Sequence, residues 1–365
     1  MEKVVYILGA GFSAPLGLPV MDNFYSKSKD MYLNDLEKYS YFKDVIKKID
    51  ELSKIKNYYK TDLFNIEEIL SILEMERHAS GKKTHKDIIK YIKHVIIHHT
   101  PQENEIFSTL YKHEDILFLN NWQELIFGNN LWKLYGMFFS NLQNLKFQPT
   151  QNFSNSDQSR SHIICKTNED TFFKYSIITL NYDLIPEIFC NILNEYFNKE
   201  GGQQFYWEKE YKKDDIVWSV PYLAKLHGCI TSTIIPPTWN KSASKKIVSA
   251  WKIAYKLLSD ANHIRILGYS LPITDSYVKY LLKSAVLQAE NLKSIDILCI
   301  DNDGSVKKRY EEFIEFKNKR FRNKDLNLYL ENIYKYNVIK NQLRENKQFV
   351  LDKLEEAHEA FFSSD

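Results

Sequence analysis

The chain reads as an α/β protein built on a doubly wound parallel sheet, and three observations predict it. Short apolar runs recur, each ending in a polar or glycine-containing turn: "VVYIL" (4–8), "KYSIITLNYD" (174–183), "YLAKLHG" (222–228), "HIRILGYSLP" (263–272) and "IDILCIDND" (295–303). Amphipathic stretches such as "SYVKYLLKSAVLQAE" (276–290) lie between the later runs, the strand–helix alternation of a parallel sheet with helical crossovers. The first run is continuous, β-branched and aromatic, which marks a strand covered on both faces.

Between about residue 25 and residue 172 the pattern changes. "YFKDVIKKIDELSKI", "NIEEILSILEME", "KDIIKYIKHVIIHH" and "NNLWKLYGMFFSNLQNL" carry apolar residues at three- and four-residue spacings, so each predicts a helix with one buried face. The polar stretch "QNFSNSDQSRS" (151–161) reads as a surface loop closing this helical insertion. After residue 305 the sequence is charged and helical again, and no internal repeat is visible. The expected organisation is therefore an α/β domain from 1–24 and 173–305, a helical insertion subdomain from 25–172, and a C-terminal helical segment from 306–365.

With 365 residues, 44% hydrophobic, the chain is long enough to bury a large core. A formal net charge of +2 gives no general pull toward nucleic acid or acidic membranes. Cys165, Cys190, Cys229 and Cys299 are scattered without a C-x-x-C pair, which predicts neither a zinc ribbon nor a redox dithiol and fits a reducing cytoplasm. The start, "MEKVVYILGAGFSA", has the outline of a short signal peptide, but Gly9, Gly11 and Pro15 interrupt it. No uncharged apolar run reaches the ~18 residues of a membrane span.

The first strand runs into Gly9-Ala10-Gly11-Phe12-Ser13-Ala14, a match to G-x-G-x-x-A, in which glycines let the backbone approach a pyrophosphate at a helix N-terminus. The sheet is on this count Rossmann-like. Six residues alone fit a tight turn equally well. An ordinary dehydrogenase would next show a second strand ending in an acidic residue about 20 positions on. Here Pro15, Gly17 and Pro19 break any helix within a turn, and Asp30 and Asp35 lie in "SKSKDMYLNDLEK", which is no strand end.

GAGFSAPLGLP resembles the glycine-rich NAD loop of the sirtuin family, G-A-G-x-S-x-x-x-G-[IL]-P. "TLNYD" resembles the family's T-x-N-x-D turn through Asn181 and Asp183, and "KLHG" puts His227 where the family keeps its catalytic histidine. "GYSLP" resembles the ribose-binding G-[TS]-S-L turn through Gly268 and Ser270, and "IDND" stands where sirtuins contact the adenosine side. The resemblance covers residues 1 to about 24 and about 174 to 305. It implies a sirtuin-type NAD-binding fold with NAD as substrate. Two departures weaken a deacetylase reading: the zinc-binding cysteines are absent, and Gly17-Leu18-Pro19-Val20-Met21-Asp22 lacks the arginine of G-I-P-D-F-R. The chain instead looks like the bacterial sirtuin-like proteins of antiphage defence, which also show "NIEE" (65–68), "PPTWNK" (236–241) and an aspartate after GYSLP, here Asp275. Members of that group hydrolyse NAD to nicotinamide and ADP-ribose.

Breaking the nicotinamide–ribose bond needs little acid catalysis, because the leaving group departs as a neutral base while the ribose gains oxocarbenium character. The protein has to position the cofactor and a nucleophile and stabilise positive charge. Asn181 has an amide that both donates and accepts, suited to a ribose hydroxyl or the attacking water. An imidazole at His227 is able to take a proton near pH 7. These two are the expected catalytic pair. Gly9, Ala10, Gly11, Phe12 and Ser13 are the expected diphosphate loop. Asp183 either bonds a ribose hydroxyl or caps the helix of "LIPEIF". The resemblance alone implies Gly268 and Ser270 on the opposite lip and Asp303 at the adenosine ribose.

Three alternatives stay open: a protein deacylase using the same NAD site, a catalytically silent NAD or ADP-ribose module, and the dehydrogenase that G-x-G-x-x-A alone suggests. A free NAD hydrolase depletes its own cell and no sensor domain is recognisable, so control by a partner sensor or ATPase, of the HerA type or another encoded nearby, or by homo-oligomer formation, is expected. The aromatic stretch "LWKLYGMFFSNL" (131–142) supplies core and leaves room for a subunit interface. His94 and His98 have the i, i+4 spacing of metal ligands but no intervening glutamate and no third partner, so no metal is expected. Lys245 and Lys246 read as solvated surface, with neither nucleic acid nor membrane as partner.

Overall fold

An apolar run with no polar interruption has no face to give to water, and it becomes the middle of the sheet. In the computed structural model, strand β1 (Glu2–Leu8) sends Val4, Tyr6 and Leu8 into one core and Val5 and Ile7 into another. The structure describes residues 1–52, 54, 55, 58, 66–80, 84–102, 131–149, 163–197, 203–211, 216–232, 234, 245–273, 275–287, 289–337 and 349–363. The stretch with the signal-peptide outline is thus built into the fold as its central strand.

The chain then makes a four-residue helix α1 (Ala10–Ser13), a 3-10 turn (Ala14–Leu16) and Gly17 at φ 91°. Pro15 and the glycine stop the helix there, as the sequence predicts. The crossover continues through α2 (Met21–Asn34), α3 (Phe42–Leu52), α4 (Ile66–Ser80), α5 (Thr84–His99) and α6 (Leu131–Leu142). Strands β2 (Leu145–Pro149) and β3 (Ile163–Thr167) follow. They pair antiparallel, and β2 also pairs with β9 (Phe349–Val350), forming a small second sheet that the helical reading of this region did not foresee. The loop expected at 151–161 and the whole "PPTWNK" stretch (236–241) lie outside the described residues.

The main sheet resumes with β4 (Phe173–Thr179), α7 (Ile185–Phe197), β5 (Leu223–Lys225), α8 (Lys245–Asp260), β6 (His263–Leu267), α9 (Ser276–Val286), β7 (Ser294–Leu298), α10 (Ser305–Phe313) and β8 (Lys319–Arg322). Its spatial order is β5-β4-β1-β6-β7-β8, every pair parallel. Renumbered within the sheet, that is 3-2-1-4-5-6, the doubly wound Rossmann-like order. The sixth strand corrects the expectation of helix alone after residue 305: "KRFR" hides in a charged sequence because β8 is an edge strand, half-buried throughout. The chain ends with α11 (Leu326–Asn337) and α12 (Leu354–Ser363).

Helices α8, α9 and α10 cover one face of the sheet; α6, α7, α11 and α12 cover the other, together with the α2–α5 group. Under α12 runs a polar row in strand register, Tyr6, Arg265, Asp296 and Arg320 on four adjacent strands. The helix meets it with matching groups. Arg265 donates to Tyr6 (2.7 Å) and to Glu355 (2.8 and 2.5 Å), His358 Nε2 lies 3.0 Å from Asp296, and Arg320 bridges Asp296 and Glu359. Each buried charge thus has an opposite partner, the condition for tolerating it. Among the described residues no helix is long and apolar enough to cross a membrane.

Candidate active site

In a doubly wound sheet, ligands bind outside the carboxyl ends of the strands, where the strand order reverses. Here the reversal lies at β1, flanked by β4 and β6, and the sequence motifs all sit at that end. The glycine loop and the GYSLP turn meet face to face. Gly9 N–H donates to Leu267 O (3.0 Å) and Gly11 N–H to Gly268 O (2.9 Å). A Cβ on Gly11 would lie 2.9 Å from Gly268 O, and one on Gly268, at φ 65°, would lie 2.3 Å from the Phe12 nitrogen. These glycines are therefore required for loop-to-loop packing, and the amides of Gly9, Gly11 and Phe12 already bond protein carbonyls. That corrects the picture of a loop whose glycines only clear room for a pyrophosphate.

Phe12 has a packing role as well. Its side chain is buried and packs on Tyr135, Phe138 and Phe139 of α6, with ring centroids 5.2, 5.6 and 6.0 Å away, while its carbonyl accepts from Tyr135 Oη at 2.5 Å. It anchors the loop to the insertion. Ala10 and Gly11 are the half-buried part of the loop.

Ser13 ends α1 and does not stand at its start; its hydroxyl is turned inward and accepts from Asn181 Nδ2 at 3.1 Å. The same nitrogen donates to Gly9 O at 2.9 Å, and the Asn181 amide N–H donates to Thr179 Oγ1. Both donors of the carboxamide are spent on the loop. Its oxygen takes no hydrogen bond from the described residues and stays available as an acceptor.

Asp183 is buried and accepts the Ile185 amide at 3.0 Å, capping α7. Burial raises its carboxyl above the ordinary value, partly offset by Lys225, the Ser13 hydroxyl and that amide. Lys225, the residue two before His227, is buried beneath the site: its ammonium reaches the Asp183 carbonyl and lies 3.1 Å from Glu187. Burial pulls that ammonium down, but Glu187, Cys229 and Asp183 carry it above its usual range. Lys225 and Glu187 were not singled out from sequence. The one signal was a lysine inside an otherwise apolar strand end.

His227 is 1% exposed, and neither ring nitrogen has a hydrogen-bond partner among the described residues. Nε2 lies 3.6 Å from Oδ2 of Asp275, itself 2% exposed and held by Tyr269 Oη at 3.0 Å. On its other side the imidazole meets the Tyr182 ring edge-on, with centroids 6.1 Å apart. A closed circuit results: loop, Asn181, Tyr182, His227, Asp275, Tyr269, Gly268 and back to the loop. Asp275, noted in the sequence only as a family marker, is thus the carboxylate facing the histidine.

The other lip is less convergent. Ser270 is half-buried, and its carbonyl accepts from Arg309 Nε at 3.0 Å. Asp303 is exposed and accepts the Ser305 amide at 3.0 Å at the start of α10; the Ser305 hydroxyl first, and then that amide, hold its carboxyl below the ordinary value. The buried residue of "IDND" is Asp301, which accepts from Val306 and Lys307 amides. His94 and His98 each face a tyrosine, Tyr41 at 2.6 Å and Tyr39 at 3.4 Å. All four cysteines are buried free thiols.

No protein-family model matches the chain, and no curated protein matches it. Among solved structures, it is similar to Sir2 in complex with the inhibitor EX-527, 2'-O-acetyl-ADP-ribose and a deacetylated p53 peptide, at 10% identity and a TM-score of 0.34, over 91% of this chain and 93% of that one. A Sir2–p53 peptide–NAD+ structure is similar at 11% identity and a TM-score of 0.36, over 91% and 92%.

Proposed function

We propose that the chain is an NAD glycohydrolase, holding NAD in the crevice outside the carboxyl ends of β1, β4 and β6, beside the packed glycine loop and GYSLP turn, and cleaving it to nicotinamide and ADP-ribose. One observation carries the reading: a sealed imidazole, without a hydrogen bond among the described residues, faces a buried carboxylate beside an asparagine whose carbonyl oxygen those residues leave unspent. A structural histidine would have its nitrogens satisfied by the fold.

In this reading nicotinamide leaves with the bonding electron pair, and water attacks the anomeric carbon. The Asn181 oxygen accepts from and orients that water. His227 takes the proton the water loses, and Asp275 stabilises the resulting imidazolium, as an orienting carboxylate does for a catalytic histidine elsewhere. The proton then passes to solvent, so the balance is NAD+ and water in, nicotinamide, ADP-ribose and a proton out. The motif resemblance supports a role in bacterial antiphage defence, with activity gated by a partner sensor or ATPase, of the HerA type or another, or by homo-oligomerisation.

The test is to incubate the purified protein with NAD and no peptide and to resolve the products, with Asn181→Ala and His227→Ala alongside. Nicotinamide and ADP-ribose from the parent, lost in both variants, support the hydrolase. Turnover that requires an acyl-lysine peptide makes it a deacylase instead. NAD left intact even with candidate partners present makes it a binding module.

A further inference from the structure

Outside the crevice, helices α8 and α9 and the segment at 203–211 enclose a groove of about 460 Å³. Four aromatic side chains from these three segments line it, Tyr211, Trp251, Tyr255 and Tyr277, with Lys252 and Lys256 among them. We propose that this groove is a second site, for a nucleoside phosphate, whose base stacks on the aromatic rings while Lys252 and Lys256 take the phosphates.

The size is in the range of small-molecule sites, about 300 to 1,000 Å³. Charge selects the class of ligand. Among the described residues the lining contains no carboxylate and neither lysine has an acidic partner, whereas Lys209, Lys293 and Lys353 are each paired with a glutamate. Lys252 instead stands 5.8 Å over the Tyr211 ring. An apolar peptide would bury two uncompensated cations. A second copy docked through the same face would set lysines against lysines. An anion with a flat ring satisfies both halves of the lining, since every base has a π-face and arginine or lysine takes its phosphate.

The groove is wired to the site. Trp251 Nε1 donates at 3.0 Å to the carbonyl of Leu226, the residue before His227, and Tyr277 is two residues beyond Asp275. A ligand that shifts Trp251 therefore reaches the His227 side of the pair, and one that shifts Tyr277 reaches the Asp275 side. Its effect on turnover rests on the NAD-cleavage reading; its binding does not.

ATP is titrated calorimetrically into the full chain with excess ADP-ribose present to fill the crevice. A saturable ATP site is expected to persist, and to weaken about tenfold or more when Lys252→Glu and Lys256→Glu are combined, with an unchanged thermal midpoint. ATP binding that vanishes with ADP-ribose, or that is unaltered in the double variant, overturns the proposal. Adenosine binding as tightly as ATP overturns the phosphate assignment, and displacement of ATP by a stronger-binding single strand of about 12 nucleotides makes the groove part of a nucleic-acid surface. Nicotinamide release is followed with and without ATP: a change supports the coupling and no change overturns it. If no NAD is cleaved under any condition, the glycohydrolase reading fails while the ATP isotherm still decides the site.

Discussion

His227 and Asp275 are both sealed from solvent, yet among the described residues no donor or acceptor satisfies the imidazole. Such an arrangement is costly for stability and useful for proton transfer. Asp275→Asn is expected to lower the rate of NAD cleavage by about a hundredfold, the scale of a lost general-base contribution, with little change in NAD affinity. Single-turnover product analysis beside calorimetric binding separates the two. Gly11→Ala is expected to destabilise the fold by about 1–3 kcal/mol, because its Cβ meets backbone that has nowhere to go, read as a lower urea midpoint. The sequence showed Asn181, His227 and the glycine pairs because each ends a recognisable strand. It did not show Lys225 or Glu187, whose roles depend on a contact between β5 and α7, nor the packing of the Phe12 ring, since nothing local says that α6 covers the loop.

The C-terminal helix α12 closes the polar row of the sheet, and its charge chemistry predicts a pH response. Burial and Arg265 hold His358 at about 4, against an ordinary 6.5. As pH falls through that interval the unfolded chain takes up a proton that the folded one refuses, so stability drops. Glu355, held below its ordinary value by Arg265 against the opposing effect of burial, adds a second loss as the medium becomes more acidic. The thermal midpoint is expected to be lower near pH 5 than near pH 7, with a smaller difference in His358→Gln. Glu355→Gln, which strands Arg265 without its carboxylate, is expected to cost about 3–5 kcal/mol in denaturant unfolding at neutral pH. Helices α3, α4, α5, α6 and α9 were legible from their apolar spacing. Strand β8 and the β2–β3–β9 sheet were not, because their polar or short segments acquire strand character only from a neighbour.

For the molecule as a whole, the 3-2-1-4-5-6 order predicts where the structure is most resistant to opening. Amide hydrogen exchange is expected to be slowest in β1 and its neighbours β4 and β6, and faster at the edge strands β5 and β8. The same order has a consequence for biosynthesis. Strand β1 ends at Leu8, while the strands that flank it begin at Phe173 and His263. A growing chain on the ribosome therefore carries the apolar β1 with neither neighbour until Phe173 is made and with only one of them until His263 is made, a state that invites aggregation and calls for chaperone protection. His227, Asp275 and the helix that closes the charged row all come later in the message. A nascent chain interrupted before residue 227 thus holds the glycine loop but neither His227 nor the turn at Gly268 against which that loop packs.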